Sequence, residues 1–212
     1  MSGSEVHGHH VRGPIGDKPD EEELPPYAGI ELGDVVLVKS DAEAAAALAA
    51  LTCADVVGFD TESKPTFAKG EASTGPHLVQ LATDSTAYLF QIGARPDPGS
   101  VDVLRAVLEA PAILKVGFGL GDDLRRLRSK LGIETQNVVD LSTTLRRRGE
   151  RNTLGAKTAV ARFFGQRLQK SKRITTTNWA LPRLSEQQIR YAADDAHVAL
   201  KLYRHWRANP PA

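Results

Sequence analysis

The stretch Val56-Val57-Gly58-Phe59-Asp60-Thr61-Glu62 decides the fold, because it begins with four residues typical of a sheet interior and ends with two acids. A loop rich in glycine, proline, serine and threonine follows at residues 63–76, so the stretch is predicted to be a buried strand. Residues two apart in a strand point to the same side, and Asp60 and Glu62 would therefore project together. Such neighbours repel each other unless a cation lies between them. Two solvated acids beyond the end of the strand are the alternative.

Another acid follows a glycine-rich segment. Gly117-Phe118-Gly119-Leu120-Gly121 leads from a predicted strand at 113–118 into a predicted helix at 122–131, and Asp122 and Asp123 open that helix. Acids in the first turn interact favourably with the helix dipole, so helix capping is one interpretation. A nucleotide-binding loop is a second interpretation. The third glycine stands one position too early for the dinucleotide fingerprint, however, and no P-loop lysine follows.

The last predicted helix carries a further acid. Ser185 and Gln188 have the spacing of a capping box, and the helix is predicted to run to about Trp206. Within it, Tyr191 and Asp195 are four residues apart and share one face. A single Tyr-x-x-x-Asp pair is usually structural, so its meaning depends on the acids found earlier in the chain.

Strands and helices alternate along the rest of the sequence, and the segment at 169–178 is predicted to be a polar, basic loop. The order predicts one α/β domain at residues 35–212, with a mixed sheet flanked by helices on both faces. The strands are predicted at 35–38, 78–82, 87–91 and 137–141, the second and third as a hairpin, and the helices at 41–51, where Asp41 is a candidate cap, 101–108 and 153–164.

Residues 1–34 differ from the rest in composition. They contain many glycines and prolines, the acidic run Asp20–Glu23 and no apolar period, which predicts a flexible N-terminal tail. The tail has no signal-peptide pattern, and the single Cys53 excludes a disulfide within the chain. No apolar run reaches the roughly 20 residues needed to cross a bilayer. We therefore expect no membrane association and an intracellular, cytoplasmic location.

The net charge is only +1, but the charges are unevenly distributed. Residues 1–100 carry 16 acidic and 6 basic side chains, whereas residues 115–173 carry 5 acidic and 15 basic. This asymmetry is typical of a basic face that follows phosphates, although solvated helix faces would give the same counts.

Taken together, the motifs resemble the DnaQ-like exonuclease superfamily, in its DEDDy branch, within the ribonuclease H-like fold. The resemblance covers nearly all of the chain after the tail. The second motif and the T-N-W segment are most similar to the exonuclease domain of the Werner syndrome helicase. The matching segments are F-D-T-E at Phe59–Glu62, K-V-G-F-G-L-G-D-D at Lys115–Asp123, T-N-W at Thr177–Trp179 and Y-A-A-D-D-A at Tyr191–Ala196.

This resemblance implies a metal-dependent 3′→5′ exonuclease that releases nucleoside 5′-monophosphates. Asp60 would bridge two divalent cations, Glu62 and Asp195 would hold the first, and Asp123 would hold the second. Tyr191 would orient the attacking water. All-oxygen ligation favours Mg²⁺ or Mn²⁺.

Further residues are candidates for substrate contacts. Lys172 and Arg173 would neutralise phosphates, and Trp179 would either stack on a base or pack in the core. Thr61 would reach the substrate if the first strands form the floor of the cleft. The expected partner is nucleic acid with a free 3′ end, with DNA favoured over RNA and any helicase or repair partner left open. The alternatives are a ribonuclease D-type enzyme that trims RNA and a nucleic-acid-binding domain that has lost catalysis.

Overall fold

The computed structural model describes residues 23–66, 70–93 and 96–210. In chain order, the elements within these ranges are a short 3-10 helix (Leu32–Asp34), β1 (Val35–Val38), α1 (Asp41–Thr52), β2 (Val56–Glu62), β3 (Leu78–Ala82), β4 (Ala87–Gln91), α2 (Pro98–Leu108), β5 (Leu114–Gly117), α3 (Gly121–Leu131), β6 (Val138–Asp140), α4 (Leu141–Thr144), α5 (Ala156–Phe164), α6 (Lys172–Thr175) and α7 (Glu186–Ala208). No helix in these ranges is both long enough and apolar enough to span a membrane.

The strands form one mixed sheet in the order β1-β4-β3-β2-β5-β6. Strand β3 is antiparallel to both of its neighbours, β2 and β4, and the other pairs are parallel. The predicted hairpin is therefore confirmed as β3–β4. Because β2 lies inside the sheet, between β3 and β5, its acidic end stands near the middle of the sheet edge.

Helices cover both faces of the sheet, as predicted. On one face, α1, α2 and α3 pack on side chains such as Phe59, Leu81 and Phe90, all fully buried. On the other face, α5 and α7 pack on the alternate positions of the same strands. Apolar side chains on both sides of a strand explain why Val56–Phe59 is apolar without alternation.

Gly58 permits a close approach between the sheet and α7. A Cβ built at this position would lie 1.9 Å from the backbone oxygen of Ala196, so no larger residue fits without moving the helix. The contact fixes the height of α7 above β2. Asp195, the neighbour of Ala196, is consequently held over the acidic end of β2.

Some local predictions were wrong. The side chain of Ser40, not Asp41, caps α1 by accepting a hydrogen bond from the Glu43 amide. Helix α5 begins at Ala156 and not at 153, because residues 145–154 form a loop that closes on α4. The predicted loop at 169–178 contains the short helix α6.

The prediction of a tail at residues 1–34 needs correction for its last part. Residues 1–22 lie outside the described residues, but the segment from Pro25 to Ile30 packs on the domain. Tyr27 and Arg167 pair through their backbones at 2.9 Å, and the Tyr27 ring stacks on Phe164. Ile30 is buried in the core beneath α7. The segment lacks a regular apolar period because it packs as an irregular strap and not as a helix or strand.

Lys115 is fully buried in β5, and its ammonium group reaches backbone carbonyls at and just after the C-terminal end of α2. Its Nζ donates hydrogen bonds to the carbonyl oxygens of Ala110 and Ile113, both at 2.8 Å, and of Val107 at 3.5 Å. Burial lowers the pKa of Lys115 to about 8, so the side chain still carries its charge at neutral pH. These bonds satisfy carbonyls that follow the end of a helix and would otherwise be buried without donors.

We expect the Lys115→Met substitution to lower the free energy of unfolding by about 1–3 kcal/mol, because buried carbonyls lose their donor. Urea unfolding followed by circular dichroism would measure the change. Lys39→Met, at an exposed lysine, is the control and should change stability little. An unaltered unfolding midpoint for Lys115→Met would show that the ammonium does not stabilise the end of α2.

Candidate active site

Three carboxylates meet where β2 passes under α7. Asp60 and Glu62 point to the α7 side of the sheet, and Asp195 points down from the helix. One ligand oxygen from each of the three lies within 4.8 Å of the others. Glu62 and Asp195 are buried and Asp60 is half-buried. This spacing is suited to a cation between the side chains, and all the donors are oxygens, which hard divalent cations prefer.

The fourth acid, Asp123, reaches the same end of β2 from the opposite face of the sheet. It lies in the first turn of α3 and is buried, and it accepts a hydrogen bond from the hydroxyl of Thr61. Its neighbour Asp122 is exposed and pairs with Arg125 at 2.9 Å on the surface. Of the two adjacent aspartates, Asp123 is therefore buried at the site and Asp122 is exposed to solvent.

The start of α3 is held by Asp140, at the end of β6. Its two carboxylate oxygens accept hydrogen bonds from the amides of Gly119 and Leu120, at 2.9 and 3.0 Å. Burial opposes the charge of Asp140, but hydrogen bonds from Ser142, Gly119 and Leu120 outweigh it and lower the pKa of this carboxyl. Gly119 needs its positive φ of 67° for this turn. Sequence reasoning did not single out Asp140, whose only signal is that it ends a strand beside the glycine-rich segment.

Tyr191 lies one helical turn before Asp195. Its hydroxyl is 3.1 Å from the Thr175 hydroxyl, and its ring centroid is 6.0 Å from that of Trp179. Trp179 is only 1% exposed and its ring nitrogen donates to the Thr175 carbonyl. Of the two predicted roles for Trp179, core packing is therefore the one that the structure supports, because its ring is covered and cannot stack on a base.

Lys170 is a site residue that sequence reasoning missed. Its Nζ is 2.7 Å from Asp195 Oδ1 and 5.5 Å from the centroid of the Tyr191 ring. Burial opposes its charge, but Asp195, Tyr191 and Asp60 raise its pKa above the ordinary lysine value. In the sequence it is one of several cations in a basic loop, and nothing there distinguishes it from Lys172 or Arg173.

The structure gives the other substrate candidates different positions. Thr61 is buried and bonded to Asp123, so its hydroxyl orients a carboxylate and does not face an open cleft. Arg173 is exposed and lines a cavity of about 630 Å³ that Tyr191 also lines. The side chain of Lys172 lies outside the described part of the structure.

Burial raises the pKa of all four carboxyl groups, and repulsion from the other site carboxylates raises it further for Asp60 and Glu62. Burial is the largest cause in each case, and for Asp60 the nearby Asp195 and Asp123 add to it. Lys170 acts in the opposite direction on Asp195, Asp60 and Glu62. Burial and the charge of Asp195 also raise the pKa of Tyr191 to about 12, so the phenol keeps its proton at neutral pH. Four carboxylates with one ammonium are undercompensated, and a divalent cation would supply the missing charge.

A mixed sheet of this strand order, with carboxylates at the end of an interior strand, defines the class: a nuclease of the ribonuclease H-like fold. Residues 35–208 match the family model described as 3′-5′ exonuclease. A 3′-5′ exonuclease of Arabidopsis thaliana is 31% identical over 161 residues, which are 74% of this chain and 54% of the relative. The bifunctional 3′-5′ exonuclease/ATP-dependent helicase WRN of Mus musculus is 30% identical over 159 residues, 73% of this chain and 11% of the relative.

Solved structures agree with this match. The EXO domain of Aedes aegypti Nibbler superposes with a TM-score of 0.71 at 27% identity, covering 83% of this chain and 88% of the other. Trypanosoma brucei RNase D superposes with a TM-score of 0.74 at 20% identity, covering 83% and 65%, and supports the fold alone. The chain belongs to the 3′-5′ exonuclease family of the DnaQ-like superfamily. It spans about half of the Arabidopsis relative and a smaller share of the mouse one.

The raised pKa values of the four carboxyls predict how pH affects the metal-free protein. The folded state binds protons more tightly than the unfolded state, so stability is lost as pH rises above the ordinary carboxyl pKa of about 4. In EDTA, we expect the thermal unfolding temperature to fall between about pH 5 and pH 8 and millimolar Mg²⁺ or Mn²⁺ to restore it.

Asp60→Asn removes one of the repelling charges and should reduce this fall, whereas the exposed Asp122→Asn should leave it unchanged. An unfolding temperature that responds neither to pH nor to the metal would contradict this account of the site.

Proposed function

We propose that the chain uses two divalent cations, Mg²⁺ or Mn²⁺, to remove nucleoside 5′-monophosphates from the 3′ end of a nucleic acid, with DNA as the preferred substrate. The observation that carries the proposal is the convergence of Asp60, Glu62 and Asp195, whose ligand oxygens lie within 4.8 Å of one another. Asp123, joined to the end of β2 through Thr61, completes the set of acids.

Asp60, Glu62 and Asp195 would hold one cation, and Asp60 with Asp123 would hold the other. When bound, such ions lower the pKa of a water and stabilise the charge on the attacking and leaving oxygens. The donor set suits them, since it consists of carboxylates whose own charges are undercompensated. No ligand nitrogen or sulfur stands among the four, which favours these ions over zinc.

The protein's own groups orient the reaction. Tyr191, protonated at neutral pH, donates a hydrogen bond that fixes the attacking water or a phosphate oxygen and does not act as the base. The water oxygen bonds to phosphorus as the bond from phosphorus to the 3′ oxygen of the penultimate nucleotide breaks. The attacking water releases a proton to the solvent, the departing 3′ oxygen takes up a proton from the solvent, and the terminal nucleotide leaves with its 5′ phosphate.

Two nucleic acids compete for the role of substrate. DNA is favoured by the K-V-G-F-G-L and T-N-W segments, which are similar to the Werner syndrome helicase exonuclease. RNA is the second candidate, because E. coli RNase D, which superposes with a TM-score of 0.68 at 24% identity, is an exoribonuclease involved in structured RNA processing. The four carboxylates would serve either substrate, so the choice depends on contacts to the sugars.

Matched 5′-labelled DNA and RNA strands, incubated with Mg²⁺ or Mn²⁺, provide the test. We expect a ladder that shortens from the 3′ end, nucleoside 5′-monophosphates as products, and faster cleavage of DNA. The doubled aspartate supplies an internal control, since Asp123→Asn should abolish cleavage while Asp122→Asn, at an exposed surface pair, should retain it. Cleavage that persists in excess EDTA, or in the Asp123→Asn variant, would refute the mechanism.

Lys170→Met generates a separate prediction. Because Lys170 orients Asp195 and offsets the negative charge of the site, its loss should lower kcat by about 10–100-fold, as expected for a group that supports a metal ligand. Lys170→Arg keeps the charge and should recover part of the rate. Steady-state kinetics on one labelled strand would measure both variants, and wild-type kcat in Lys170→Met would exclude a role for this ammonium.

A further inference from the structure

A loop of arginines extends from the edge of the sheet beyond β6. Residues 145–154, called here the arginine loop, contain Arg146, Arg147, Arg148 and Arg151, and all four side chains are exposed. The nuclease chemistry proposed above makes no use of them. Four guanidinium groups within six residues repel one another, and binding of an anionic partner would relieve this repulsion.

The loop is closed and anchored at both ends, so the backbone that carries its arginines is held in place. The Leu154 amide donates to the Ser142 carbonyl at 2.8 Å, which joins the two ends of the loop. Leu145 and Leu154 are buried in the core beneath α7. Gly149 supplies a turn with φ of 90°, a conformation in which other residues are strained. A preorganised loop loses less entropy on binding than a free chain does.

The single acid of the loop is already neutralised from within the protein. Glu150 accepts hydrogen bonds from the Arg162 guanidinium of α5, at 2.7 and 3.2 Å, and from the Arg147 backbone amide at 2.8 Å. These contacts lower its pKa and keep it charged. In the part of the chain that the structure describes, none of the four loop arginines forms a salt bridge with a carboxylate. The surface therefore presents four exposed arginines, of which only Arg147 interacts electrostatically with Glu150.

The arginine loop lies on the same edge of the sheet as the carboxylates. Strands β2, β5 and β6 are parallel, so their carboxyl ends meet at one edge, with Asp60 and Glu62 at the end of β2 and Asp140 at the end of β6. Helix α4 and then the loop follow directly from Asp140, which also holds the turn that leads to Asp123. Two strand spacings, roughly 10 Å, separate β2 from β6.

We propose that the arginine loop binds the phosphate backbone of the substrate strand, several nucleotides away from the 3′ end that is cut. This inference rests on the proposed function, because it needs a polyanionic chain that leaves the carboxylate cluster along this edge. Arginine forks match phosphate oxygens, and the exposed side of the loop offers charge without the apolar anchors that a protein partner would need. The loop would act on affinity for long strands and not on the chemistry.

The Arg147→Ala/Arg148→Ala double variant tests this inference with two substrates of different length. For a strand of about twenty nucleotides, the loss of two phosphate contacts should raise KM about tenfold and flatten the dependence of log K on log salt by about 1.4. For a dinucleotide, which has one phosphodiester at the carboxylates and no further backbone to reach the loop, KM and kcat should stay at wild-type values. Arg207→Glu changes the net charge by the same amount at the far end of α7 and is the matched control.

The outcomes separate this inference from the proposed function. The role of the loop would be overturned if the double variant affected the long and the short strand equally, or if Arg207→Glu had the same effect as the double variant. An unchanged salt dependence would also overturn it, and is the result expected if the loop binds an acidic protein. If the wild-type protein cleaved neither strand, the proposed function itself would be refuted. Unfolding temperatures of both variants confirm that each one is folded.

Discussion

The gathering of four carboxylates, three of them buried, at one end of β2 is the constraint around which this protein is organised. Asp60, Glu62, Asp123 and Asp195 come from three different elements, and no stable fold collects such groups without compensation. Lys170 supplies one positive charge from the protein, 2.7 Å from Asp195, and divalent cations are suited to supply the rest. Binding of such a cation would relieve the unfavourable electrostatic interactions among these groups.

The surrounding packing keeps the four acids together against this repulsion. Gly58 lets the backbone of α7 approach β2, Thr61 ties Asp123 to the strand, and Asp140 fixes the turn before α3. Each contact joins an element that carries an acid to a rigid neighbour. Because the sheet and the long helix α7 are both deeply buried, the geometry is set by the core and not by flexible loops.

The sequence was most informative where periodicity and spacing determine the structure. The buried strand at Val56–Glu62, the hairpin and the capping box at Ser185 were all predictable, since each depends on neighbouring residues. Lys170 was not predictable, because its contact with Asp195 joins residues 25 apart in a loop without a pattern of its own. Trp179 had two possible environments, and only the packing of α6 and α7 decided between them. Thr61 was a substrate candidate only if the first strands formed the floor of the cleft, but it points to the opposite side of the strand from the acids beside it and bonds to Asp123.

Asp194, beside Asp195, connects the N-terminal segment from Pro25 to Ile30 to helix α7. Its carboxylate accepts a hydrogen bond from the Ile30 amide at 2.8 Å, and Gly29, with φ of 75°, leaves no room for a side chain against it. The region matched by the family begins only at residue 35. A chain trimmed to that boundary would expose the apolar pocket that Ile30 fills. Asp194, next to the proposed metal ligand Asp195, would also lose the hydrogen bond from the Ile30 amide. Residues 25–30 therefore contribute to the packing of the domain although they precede the region that matches the family.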